Sequence, residues 1–379
     1  MKNKLKFTYI IIRNTLILFL ILEIGLGIFY NYHDESGIDT NTEKIIASGI
    51  YGDLDPNIVK EIFRELRQQD MEWKPYVHYG FKEMLGKQNT IYKNGIRKTV
   101  NLSIKDSTTA LKIFCFGGST MYSSGARDAH TIPSELSKLI HSSFPDKNIE
   151  ITNFGCHGYT RGMENIQLQL ELTKNNIPDI VVFYDGVNEV ISAHQNNVAG
   201  LPTNSYNRKK EFKIGHDYKK RIRLMVNSSN LNRMYTTLRL KIKTNSPYRK
   251  METRSNSLAT SIASTYAGYI KISKSLESNY DFKVFNFLQP VIYSKKELSK
   301  AEEEQAKHHE YYKNLYHLSY KSIREDSILV ADSTFTDIST AFNNFNETIY
   351  FDFCHTGEKG NEIVAQQIFN QIKLEIAKQ

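Results

Sequence analysis

An apolar run at residues 111–116 (Leu-Lys-Ile-Phe-Cys-Phe) breaks at once into Gly117-Gly118-Ser119-Thr120. A short apolar segment closed by two glycines reads as a buried strand entering a tight turn. Ile132, Leu136, Leu139 and Ile140 then recur at helical spacing, which predicts a helix near 132–143. The same alternation returns along the chain. A strand is expected at 149–153, a helix from about Arg161 to Lys174, and a fully buried strand over 179–184, Asp-Ile-Val-Val-Phe-Tyr. Beyond residue 254 come a helix at 258–279, a strand at 282–288, a helix at 300–323, a strand near 328–331 and a helix from Lys359 to Ala377. Strands alternating with helices imply a mostly parallel sheet covered on both faces. The expected fold class is α/β, a three-layer α/β/α sandwich.

In such a sheet the loops that follow the strands share the carboxyl edge, where open α/β folds keep their ligand sites. Four polar turns fall there. They are Gly117-Gly118-Ser119-Thr120, Gly155-Cys156-His157-Gly158-Tyr159-Thr160, Asp185-Gly186-Val187-Asn188-Glu189 and Asp352-Phe353-Cys354-His355. Acyl transfer needs a nucleophile, a base, a group that orients the base, and donors for the oxyanion. Taken singly each turn has a plain role: Ser119 as a helix N-cap, Gly158 and Asn188 as turn residues, Asp352 and His355 as a capping pair. Taken together they resemble the four sequence blocks of the SGNH (GDSL-type) hydrolases.

Gly118 stands where the eponymous motif has Asp, and Glu189 replaces the more usual Asp of the third block. In the second block Gly158 fits the oxyanion glycine better than Gly155. The resemblance covers about residues 73–379. It is closest to membrane-anchored bacterial members with a Gly-Ala-Arg-Asp stretch after the serine, here Gly125-Ala126-Arg127-Asp128. It implies Ser119 as nucleophile, His355 as base and Asp352 as its orienting group. The oxyanion donors would be the Ser119 and Gly158 N–H groups and the Asn188 amide, with no metal or organic cofactor.

The amino terminus carries a different signal. Residues 7–32 are strongly apolar, with Arg13, Asn14 and Glu23 as the main interruptions, and 14–32 is about as long as the ~20 residues a spanning helix needs. Lys2, Lys4, Lys6 and Arg13 precede it and His33-Asp34-Glu35 follow, which places the amino terminus in the cytoplasm and the rest outside. The run ends at Gly27-Ile28-Phe29-Tyr30 without an Ala-x-Ala site, favouring an uncleaved signal anchor over a cleaved signal peptide. Glu23 is expected to face a partner helix or a headgroup. Residues 33–106 read as a juxtamembrane collar, with a helix opening at Asp55-Pro56 and running through Gln69, then short strands between Trp73 and Thr99. No chemistry is assigned to that collar. The domain plan is thus an anchor at 1–32, a collar at 33–106 and an SGNH-like domain at 107–379.

That last domain is interrupted by a polar, basic insertion at 194–254. The chain's net charge of +8 is concentrated within it, since residues 207–254 hold 15 Lys/Arg against 3 Asp/Glu. Acidic glycan, anionic lipid headgroups or plain solvent are its candidate partners. Nucleic acid is disfavoured by the external location and the lack of a recognition motif. Cys115, Cys156 and Cys354 form no CxxC pair, which argues against structural zinc. Cys115 reads as a buried strand residue, and a disulfide between Cys156 and Cys354 is left open. His308-His309 are adjacent on a helix, point different ways, and read as surface residues. The functional expectation is a serine esterase acting on an acyl group, O-acetyl foremost, of a cell-envelope glycan. A lipid or thioester hydrolase, a glycan O-acetyltransferase and a non-catalytic envelope-assembly scaffold are the alternatives.

Overall fold

Five strands form one parallel sheet in the spatial order Ile149–Asn153, Leu111–Gly117, Ile180–Asp185, Lys283–Leu288, Phe335–Asp337. The computed structural model describes residues 2–215, 219, 222, 226–242 and 255–379, and the remainder of the basic stretch at 207–254 lies outside them. Period-two alternation splits the strand side chains between two layers. Ile113, Cys115, Val182 and Tyr184 pack with Leu136 and Ile140 of helix Ile132–Ser143 and with Val364, Ile368 and Ile372 of helix Glu358–Lys378. Phe114, Phe116, Val181, Phe183 and Val284 pack on the opposite face with Leu168 and Leu172 of helix Arg161–Thr173. Each such side chain contributes about 1.5–3 kcal/mol by leaving water. The sandwich therefore holds itself together through both faces of one sheet.

Strand 149–153 lies on one side of strand 111–117 and strand 180–185 on the other. The chain thus reverses direction across the sheet at this point, the kind of switch point at whose carboxyl edge open α/β folds bind their ligands. The loops bearing Ser119, Gly158 and Asn188 all leave from there.

Two expected elements differ. Residues 328–331 are helical, within Ser327–Ala331, and the fifth strand is Phe335–Asp337. Asp326 decides it by accepting hydrogen bonds from the Ile328 and Leu329 N–H groups at 3.0 and 3.3 Å, the pattern of a helix N-cap. The helix expected at 300–323 is two helices, Lys300–His308 and Lys313–Arg324, joined by a 3₁₀ turn at Glu310–Tyr312. All three cysteines are free and buried. Cys156 lies in the cluster around Tyr122 and Phe81, and Cys354 in the one around Val187 and Tyr316.

The first helix runs from Lys2 to Ala47, past Tyr32, and its Lys4–Tyr32 portion is long and apolar enough to cross a membrane. The chain falls into two compact units, Met1–Lys44 with Tyr206–Lys250, and Ile45–Ser205 with Met251–Gln379. The second unit contains the sheet and most of the 33–106 region. There, Met71–Glu72 pairs with Gly80–Phe81 and Met84–Leu85 with Thr90–Ile91. Helix Pro56–Gln68, capped by Asp55, steadies these ribbons through Glu65, whose carboxylate accepts from the Lys87, Gln88 and Asn89 N–H groups.

Candidate active site

Ser119 opens a one-turn helix, Ser119–Tyr122, directly after strand Leu111–Gly117. The turn is tight enough that a Cβ on Gly117 would meet the Tyr184 carbonyl at 2.5 Å, and one on Gly118 would overlap the Asn188 amide nitrogen. Gly118 therefore lets the first and third loops touch, which accounts physically for a residue without a side chain at that position.

His355 reaches Ser119 from the loop before helix Glu358–Lys378. Its Nε2 lies 2.7 Å from Ser119 Oγ, and its Nδ1 lies 2.6 Å from Asp352 Oδ2. The other Asp352 oxygen accepts from the Cys354 and His355 N–H groups at 2.8 and 2.7 Å, so one carboxylate folds the loop and faces the imidazole. Burial alone would lower the His355 pKa, but the facing Asp352 charge and hydrogen bond raise it above the ordinary imidazole value. Burial pulls Asp352 upward in turn, and the His355 charge with these hydrogen bonds leaves it below the ordinary carboxylate value. Such a line can pass a proton from the serine to the imidazole while the carboxylate stabilises the cation.

The second loop offers two glycines, and the structure separates them. The Gly155 N–H is taken by Asn153 Oδ1 at 2.9 Å. Gly158 sits at φ +72°, and among the described residues no acceptor is assigned to its N–H or to that of Ser119. Asn188 donates one amide hydrogen to the Tyr159 carbonyl at 2.7 Å, which holds the side chain while leaving its second hydrogen available. Glu189 binds the Gly186 and Arg161 N–H groups at 2.8 and 2.6 Å, fastening the third loop to the end of the second. Burial, then the nearby Asp185, pushes Glu189 up to about 7. His157, in the same loop, bonds Ser124 Oγ at 2.8 Å and is pushed down to about 3 by burial, then by the His355 and Arg97 charges. It stays neutral beside His355.

Asp352, Cys354 and His355 also bring three ligand-type atoms within 4.8 Å of one another. A metal there would compete with Asp352 for the His355 Nδ1 position, because the two are already 2.6 Å apart. His308 and His309 stand edge to face, and His309 packs against Phe353 of the Asp352 loop, so it is not a simple surface residue.

The sequence reading assigned nothing to Arg97, which the structure places under this site. Its guanidinium is buried, donates to the carbonyls of Tyr122, Ser123 and Ala126 at 3.0, 3.1 and 2.5 Å, and lies over the Tyr122 ring. It also approaches Asp128 at 3.5 Å. Arg127 makes a second clasp, with its N–H, Nε and Nη2 all donating to Glu358 at 3.1, 2.8 and 2.6 Å. The Ser119 loop is thus tied to the collar by one arginine and to the helix after His355 by the other. Replacing Arg97→Met leaves three carbonyls and a largely buried carboxylate without their cation. The expected loss is about 3–5 kcal/mol of stability. Urea unfolding followed by circular dichroism measures it, and a loss under about 1 kcal/mol would rule out the clasp as a stabilising element.

A cavity of about 580 Å3 lies behind the second loop, lined by Tyr76, Phe81, Phe154, Cys156 and Tyr159 among others. Ser119, Asp352 and His355 do not line it.

No protein-family model and no curated protein matches this chain. Among solved structures it is similar to an acetyl xylan esterase at 16% identity and TM-score 0.40, over 68% of this chain and 98% of that one. An acetylxylan esterase from Geobacillus stearothermophilus matches at 14% identity and TM-score 0.35, over 72% and 96%. A lipase from a goat rumen metagenome matches at 8% identity and TM-score 0.39, over 69% and 97%.

Proposed function

We propose that this chain is an SGNH-type serine ester hydrolase, anchored by its first helix, that removes an acyl group, O-acetyl foremost, from a cell-envelope glycan. The observation that carries the reading is the continuous line from Ser119 Oγ through His355 to Asp352, at 2.7 and 2.6 Å. Ser119 attacks the ester carbonyl as His355 takes its proton, and His355 returns that proton to the leaving alcohol. The tetrahedral oxyanion is met by the Ser119 and Gly158 N–H groups and the second Asn188 amide hydrogen. Water then repeats the sequence on the acyl-enzyme. The side chains of His355 and Asp352 remain 20% and 28% exposed, which suits a small acyl group carried on a large polymer that stays outside. The orientation follows the charge flanking the first helix, with the amino terminus cytoplasmic and the hydrolase domain, 107–379, on the far side.

The base must be neutral to accept a proton, and Asp352 raises its pKa. The acidic limb of kcat/KM is therefore expected above pH 6.5, with activity rising as pH climbs through that value. A limb at or below 6.5 would show that the His355–Asp352 pair does not set the rate.

The reading itself is tested with the full chain in detergent. A fluorophosphonate should add covalently to the peptide containing Ser119, and p-nitrophenyl acetate should turn over faster than the octanoate. Octanoate preference would replace the glycan by a lipid. Absence of both labelling and turnover in folded protein would remove the hydrolase reading.

A further inference from the structure

The compact unit formed by Met1–Lys44 and Tyr206–Lys250 resolves a difficulty in the first helix, which carries Glu23 inside an otherwise apolar span. A carboxylate at that depth needs partners. It has them in the insertion: Glu23 Oε1 accepts from the Asn230 N–H at 2.6 Å and Oε2 from the Leu231 N–H at 3.1 Å. Asn230 Nδ2 also donates to the Glu23 carbonyl at 3.3 Å. These N–H groups open helix Asn230–Ile242, so a side chain of the spanning helix caps the second helix.

The contacts then advance together along both helices. Asn230 sits beside Gly27, where a Cβ would meet its amide at 3.1 Å, and the Arg233 guanidinium lies 4.0 Å over the Tyr30 ring. Helix Asn230–Ile242 therefore starts beside Glu23 and runs in the same sense as the span, towards its carboxyl end. Leu231, Met234, Tyr235 and Leu238 fall at i, i+3, i+4 and i+7, one stripe on this helix. At 100° per residue the Tyr235 and Leu238 part of that stripe is centred about 110° from Asn230 and about 170° from Arg233, which face the span, with Met234 on the flank next to Asn230. Met234, Tyr235 and Leu238 are 37%, 58% and 53% exposed. Ile222 and Val226, earlier in the insertion, are also exposed. An apolar stripe turned to water would be costly, and its place beside a membrane span supplies the alternative.

We propose that helix Asn230–Ile242 is a second membrane-contacting element, seated in the headgroup and upper acyl region of the leaflet at the carboxyl end of the span. Glu23 holds it there, the 231–238 stripe enters the acyl boundary, and the exposed Lys209, Lys210 and Lys213 of helix Ser205–Gly215 select anionic lipid. Interfacial helices bind by this combination of apolar area and charge. The assignment is independent of any reaction at Ser119.

Site-directed spin labelling of the full chain in vesicles tests it. The native cysteines are buried, so single Tyr235→Cys, Leu238→Cys and Thr236→Cys variants carry the label. In phosphatidylcholine with phosphatidylglycerol, labels at 235 and 238 should favour oxygen over a water-soluble nickel complex, whereas one at 236, between them along the axis but on the far side of the helix, should favour the nickel complex. That contrast should be lost with Glu23→Ala and weakened in pure phosphatidylcholine. Aqueous readings at both 235 and 238 in the otherwise native chain overturn the proposal without help from the Glu23 variant. A contrast that survives Glu23→Ala overturns the capping role, and an equal contrast in both lipids overturns the selection of anionic lipid.

Discussion

Ser119→Ala is expected to lower kcat for p-nitrophenyl acetate by on the order of a million-fold while leaving the fold in place. The alanine removes only Oγ, whose assigned partner is His355 Nε2, so no buried polar group is orphaned beyond an imidazole that water can reach. Strand Leu111–Gly117 and the turn glycines are untouched. His355→Ala should cost a similar factor, and the double variant little more than either. On the proposed mechanism the serine and imidazole act as one unit, and what would survive is stabilisation by the oxyanion donors alone. Stopped assays on the two single variants and the double variant, with circular dichroism as the folding control, measure this. Multiplicative losses would show that Ser119 and His355 do not act as one unit, and a Ser119→Ala variant within ten-fold of the parent would remove Ser119 from the reaction.

The second large effect belongs to Asp352→Asn, with an expected fall in kcat on the order of ten-thousand-fold. One carboxylate oxygen accepts from two backbone N–H groups, and an asparagine carbonyl can keep those bonds and hence the loop. The replaced oxygen faces His355 Nδ1 at 2.6 Å. An amide NH2 there turns Nδ1 into the acceptor, moves the imidazole proton to Nε2, and leaves nothing to take the serine proton. Nitrogen-15 shifts of His355 should report that change of tautomer together with the rate loss. A large rate loss with the parent tautomer retained would mean that Asp352 acts only on the loop.

How much of this was legible beforehand depends on the range of the forces involved. The runs at 111–116, 149–153 and 179–184 advertised themselves because a strand buried on both faces has few residues that can occupy it, and the structure has strands there. The run at 327–331 is equally apolar, but at five residues periodicity cannot arbitrate, and the Asp326 cap made it a helix. The break at 309–312 was hidden for a related reason: nothing in that stretch is a glycine or proline, and His309 leaves the helix while packing on Phe353.

Arg97 shows the larger gap. Its neighbours in sequence are Ile96 and Lys98, a turn-rich setting, whereas the carbonyls it binds stand 25 to 29 residues away. The choice between Gly155 and Gly158 is of the same kind, turning on an Asn153 side chain that occupies one N–H and not the other. Glu23 could be seen to need a partner, but not that the partner was 207 residues further on.

The sequence by itself determined the class of fold, the length and apolarity of the first helix and which four turns carry polar groups, because burial and helical or strand periodicity are local properties. Only the tertiary structure decided which of those groups meet. The strand order 149–153, 111–117, 180–185 sets the first three loops at one edge of the sheet, and the last loop brings His355 to within 2.7 Å of Ser119. Hydrogen bonds act over about 3 Å, so a site made of residues up to 236 apart in the chain exists only once the sheet has brought them together.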